Sequence, residues 1–191
     1  MIDPNLSFLV SATSMFISGT TAWLTLFRQG KLKMTKPTIV CFGITVEDRK
    51  VIPKIFLRTL LYSTAKRGIV VENMFVNLSQ NGLNQTFSIW AYRDKELVRG
   101  SGIYISMEGT AYEHQFTPLP DSNEFKFLAG NSVLKVFGLT VGNKNPFLMT
   151  EIHLHLTEEQ VSAIIDRKAF IWFDWNPILQ SYSPQILTGR S

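Results

Sequence analysis

TFSIWAYRDKELVRGSGIYISM, residues 86–107, holds the pattern that decides the fold. Within 86–92, Phe87, Ile89 and Ala91 fall on one face and Trp90 and Tyr92 on the other. Residues 97–107 alternate in the same way, with Leu97, Ile103, Ile105 and Met107 on one side. A period of two marks a strand, because successive side chains of an extended chain point to opposite faces. Glu108-Gly109 then turns the chain into another strand at 110–117.

Working outward, residues 38–45 and 70–78 read as strands, the second closed by the Asn81-Gly82 turn signal. A charged turn is expected at 47–50. Residues 53–64 stay open: Phe56, Leu57, Leu60 and Leu61 have helical spacing, yet a short strand fits equally well. Downstream, Pro118 and Pro120 break regular pairing. Phe125 and Phe127 alternate before a turn at Ala129-Gly130-Asn131, and 133–140, 148–156 and 169–175 read as strands. Thr157 with Gln160 three residues on is a capping-box signature for a short helix near 158–166, with Val161, Ile164 and Ile165 as its apolar face. The predicted fold is mostly β: an immunoglobulin-like β-sandwich, or a small barrel, over 37–176, followed by a tail at 177–191. Cys41 is the one cysteine, so no Cys…Trp…Cys core and no internal disulfide exists.

Residues 6–27, LSFLVSATSMFISGTTAWLTLF, are 22 without a charge, and eight of them are Ser or Thr. About 20 helical residues cross a hydrocarbon core. Basic residues follow this segment rather than precede it, the reverse of a secretory signal. It is therefore expected to be an uncleaved transmembrane helix, with 1–36 as anchor and basic juxtamembrane linker. Leu6, Phe8, Leu9, Phe16, Ile17, Trp23 and Phe27 would face lipid, and Arg28, Lys31 and Lys33 would meet headgroups. An in-plane helix, or one packed on a soluble core, is the competing reading. The basic flank predicts a single-pass membrane protein with a cytoplasmic C-terminal domain.

Of the formal charge of +4, +3 belongs to residues 1–36. The domain is thus nearly neutral, which argues against nucleic acid as a partner.

Three stretches, TTAWLTLFRQGKLKMTKPT (20–38), FLRTLLYSTAKRG (56–68) and IWFDW (171–175), resemble an uncharacterised family of small bacterial proteins with an N-terminal membrane anchor and a C-terminal β domain. The resemblance implies bacterial origin and tethering, and assigns no functional residue.

Catalytic candidates are sparse. Glu151, His153 and His155 share one strand face, with His114 or Glu113 as a further ligand, which would suit a metal-dependent hydrolase. A solvated outer face explains the same residues. Cys41 reads as a buried thiol. Ser63 and Lys66 match a loose S-x-x-K spacing without its companion motifs. Lys66-Arg67-Gly68 reads as a turn able to meet headgroups or an acidic partner. Trp90, Tyr92, Trp172 and Trp175 are the candidate interaction surface, since a one-sided sheet should not be apolar on both faces. The expected role is a non-catalytic, membrane-tethered protein-interaction module needing no cofactor, its partners being membrane lipid and another protein. The alternative is a lipid or small-hydrophobe binder, which a deep apolar pocket beside the anchor would favour.

Overall fold

A computed structural model describes residues 4–28, 30–47, 50–93, 96–119 and 125–187. Residues 48–49 of the expected charged turn, and Pro120, lie outside them. An N-terminal helix α1 (Pro4–Ala22) runs into a π-helical turn (Trp23–Phe27). Among the described residues thirteen strands and one short helix follow: β1 (Leu32–Met34), β2 (Ile39–Glu47), β3 (Lys50–Ser63), β4 (Ile69–Gln80), β5 (Leu83–Phe87), β6 (Ile89–Arg93), β7 (Leu97–Arg99), β8 (Ile103–Ile105), β9 (Thr110–Thr117), β10 (Gly130–Thr140), β11 (Phe147–Leu156), α2 (Glu158–Arg167), β12 (Phe170–Asn176) and β13 (Ser181–Leu187). The first sheet has the order β13-β12-β2-β3-β9-β6-β7, with β1 also on β3. The second has the order β11-β10-β4-β5, with β8 also on β4. Every pairing is antiparallel. Neither sheet closes on itself, so the barrel alternative falls.

The core lies between the sheets. Phe42, Phe87, Phe116, Phe127 and Phe173 are fully buried, each contributing about 2 kcal/mol by area. Phe127 is not in a strand; it enters from a loop and stacks on Phe42 at 5.2 Å. α2 has the expected capping box: Gln160 N–H donates to Thr157 Oγ1 (3.3 Å) and Thr157 N–H to Gln160 Oε1 (3.0 Å). Its buried Ala163 and Ile164 pack into the core.

Four readings are resolved or changed. Residues 53–63, left open between helix and strand, are strand. β3 is paired on both edges, and a central strand can be apolar on both faces, which mimics helical spacing. Residues 86–92 are not one strand: Phe87 pairs in the second sheet, and Ile89 onward pairs in the first. Residues 97–107 divide likewise between β7 and β8 at Gly100–Gly102. Two strands thus cross between sheets at one corner, a known way of folding a sandwich edge. That crossing explains why both faces looked apolar. Phe87 and Trp90 reach the same core from opposite layers.

The third change is the linker. β1 and β2 lie end to end along one edge of β3, joined by Thr35 N–H to Leu60 C=O and Thr38 N–H to Arg58 C=O. Leu32 and Pro37 are buried, so residues 32–36 belong to the domain rather than to a free tether. The fourth is the tail: residues 181–187 form the edge strand β13.

Candidate functional site

α1 and its final turn give 23 residues, Asn5–Phe27, with mean hydropathy 1.2 and none buried against the domain. At 1.5 Å per residue they extend about 35 Å, long enough to cross a bilayer core. Leu6, Phe8, Leu9, Phe16, Ile17, Trp23 and Phe27 are all exposed. The hydroxyls are satisfied within the helix: Ser11 donates to Ser7 C=O, Thr13 to Leu9 C=O and Thr21 to Ile17 C=O. Such back-bonding suits an environment without water. Trp23 stacks on Phe27 at 5.7 Å just before Arg28.

The chain just after this helix is clamped to the domain. A Cβ on Gly30 would stand 2.5 Å from Ser63 Oγ, so only glycine lets the backbone approach there. Lys31 N–H donates to Thr64 Oγ1 (2.8 Å), and Lys31 C=O accepts from Thr64 N–H (3.1 Å). Beside this clamp lies a cleft of about 840 Å³, walled by Gly30–Lys33, Arg67–Val70, Tyr104 and residues 140–143 and 145–149. Gly68, at φ +70°, makes the turn beneath it. Tyr104 lies across that turn and donates to Arg67 C=O at 3.1 Å.

The aromatic candidates separate. Trp90 is 2 % exposed and belongs to the core, where its Nε1–H donates to His114 Nδ1 at 3.1 Å. Tyr92 is half-buried against Trp90 and Tyr112. Both are core residues, because the sheet crossing turns them inward. Trp175 is half-buried on Tyr182, with Lys36 Nζ 3.5 Å from its ring centre. Trp172 does face outward. In register it stands beside Cys41, Cys41 beside Phe56, and Phe56 beside Gln115. Phe170 lies over Gly43 and meets Phe56 edge-on at 6.1 Å. Trp172, Phe170 and Phe56 therefore form a half-buried aromatic patch on the outer face of the first sheet. The adjacent row carries Asp174, Ile39, Arg58 and Glu113. Alternation alone does not reveal Phe56 as part of this patch, because its strand was ambiguous.

The histidine face does not converge. His153 Nε2 lies 3.1 Å from Glu151 Oε1, and Lys135 Nζ lies 3.4 Å from Glu151 Oε2. His155 instead shares a hydrogen bond with Asn131. His114 and Glu113 sit in the other sheet. Among the described residues no group of three or more His, Cys, Asp or Glu side chains could hold a metal. Ser63 Oγ is engaged by the Ala65 backbone. Burial pushes the Cys41 thiol up to about 12, so it is not a ready nucleophile. Comparison with protein-family models, curated proteins and solved structures returns no match.

Proposed function

We propose that this chain is a membrane-tethered, non-catalytic interaction module. In this reading α1 spans the bilayer, and the basic residues after it place the domain in the cytoplasm. The β-sandwich, immunoglobulin-like in its strand spacing, is the rigid carrier, and a partner protein docks on the outer face of the first sheet. The observation that carries the reading is the aromatic patch of Trp172, Phe170 and Phe56. An outer face is normally polar, and aromatic anchors rimmed by charge suit a protein interface.

The test is affinity capture with the full, detergent-extracted chain and two variants, Trp172→Lys and Thr86→Lys, the latter on the exposed side of the second sheet. A stoichiometric partner retained by wild type and Thr86→Lys, but lost by a Trp172→Lys chain that still unfolds cooperatively, supports the reading. A partner held equally by all three removes the patch from it. A second reading, lipid binding beside the anchor, is favoured by the position of the cleft.

A further inference from the structure

We propose that the cleft beside the anchor holds the headgroup of an anionic phospholipid drawn from the bilayer that α1 crosses. This rests on the tether and lipid readings above. Lys31, Lys33 and Arg67 are exposed around the cleft, and no Asp or Glu lines it. Three cations with no carboxylate among the residues lining the cleft favour an anion there. Tyr104, Val141 and Leu148 add exposed apolar surface at the same place, Val141 at 64 %. That mixture fits the boundary between headgroup and acyl chain.

Distance selects the source of the anion. The anchor ends at Phe27, and Gly30 already lines the cleft. Three Cα steps of 3.8 Å reach at most about 11 Å. The clamp at Gly30, Lys31 and Thr64 stops the cleft from swinging away on a long tether. Headgroups occupy the zone just beyond the hydrocarbon core, and a basic side chain feels an anionic surface over about one Debye length, roughly 10 Å. The cleft therefore lies where lipid phosphate is concentrated. An anion from solution has no such advantage.

The experiment places the full chain in nanodiscs of phosphatidylcholine alone, or of phosphatidylcholine mixed with phosphatidylglycerol. Backbone hydrogen exchange is read at residues 66–70 and 141–145. Phosphatidylglycerol is expected to slow exchange there about fivefold or more, the gain a single cation makes near an anionic surface. Exchange in the β4–β10 ladder reports whether the fold is intact. Lys31→Gln/Lys33→Gln/Arg67→Gln should abolish the slowing with that ladder unchanged. Arg67→Gln alone, outside any strand, serves if the triple variant does not fold, and should weaken the slowing severalfold. Equal exchange in the two discs overturns the headgroup site while leaving the tether standing. Slowing by inorganic phosphate in phosphatidylcholine discs assigns the site to free phosphate and overturns the lipid source. Slowing that survives the triple variant overturns the cation assignment. A chain that does not enter either disc overturns the tether, and this inference with it.

Discussion

His114 is the residue whose environment departs furthest from its ordinary chemistry. It is fully buried, and burial pushes its pKa down from 6.5 to about 4. Its Nδ1 accepts from Trp90 Nε1–H, so the proton of the neutral ring sits on Nε2, which has no hydrogen-bond partner among the described residues. Protonating Nδ1 would set two donors against each other among Trp90, Tyr112 and Phe116. Between pH 6.5 and 4 the unfolded chain binds a proton that the folded chain refuses. Stability from this group is therefore complete above pH 6.5 and falls as pH drops toward 4, by at most about 3 kcal/mol. Unfolding midpoints measured across that range should show the loss. A His114→Leu chain, less stable at neutral pH because Trp90 loses its acceptor, should show a smaller pH dependence. Gly43 poses a purely steric case. A Cβ there would lie 2.3 Å from Phe170 Cδ1. Gly43→Ala should cost about 1–3 kcal/mol in denaturant unfolding, and part of that should return in Gly43→Ala/Phe170→Ala.

At the scale of elements, β13 shows what residues 181–187 do. It covers the open edge of β12 over its whole length, and Tyr182 reaches back 145 residues to donate to Pro37 C=O at 2.8 Å. Pro37 interrupts the β1–β2 run because it has no N–H to give the ladder. Tyr182→Phe should therefore cost about 1 kcal/mol, read as a shift in denaturant midpoint. A loose tail would give no shift. A Pro- and Ser-containing segment reads as tail because proline removes one donor from a strand. Pro184 is tolerated in β13 because the strand lies at the sheet edge. The corner where β5 passes to β6, and β7 to β8, was hidden for a different reason. Each half keeps a period of two, and only the phase slips between Phe87 and Trp90.

Across the whole molecule, the domain is joined to a helix none of whose residues over Asn5–Phe27 is buried. An anchor held by apolar burial should resist salt and alkali. The full chain is expected to stay in the membrane pellet through both washes. Release by high salt alone would mean surface attachment through Arg28, Lys31 and Lys33 instead. The cleft and the aromatic patch could be reached independently, since one borders the segment that follows the N-terminal helix and the other lies on the outer face of the first sheet.

The sequence by itself determined what depends on neighbours along the chain. The uncharged run of 22 residues, the basic flank, the capping box at Thr157 and the strand periodicity of β2, β4, β9, β10, β11 and β12 are local patterns, and local physics writes them. Only the tertiary structure decided which faces turn inward. Trp90 and Trp172 both sit in aromatic-rich strands, yet one is core and the other outward-facing, because Trp90 follows a sheet crossing and Trp172 does not. The cleft likewise gathers residues 30–33, 67–70, 104, 140–143 and 145–149, whose proximity no spacing encodes. Burial is a property of what packs across the core, and a strand's own alternation carries no record of its partner.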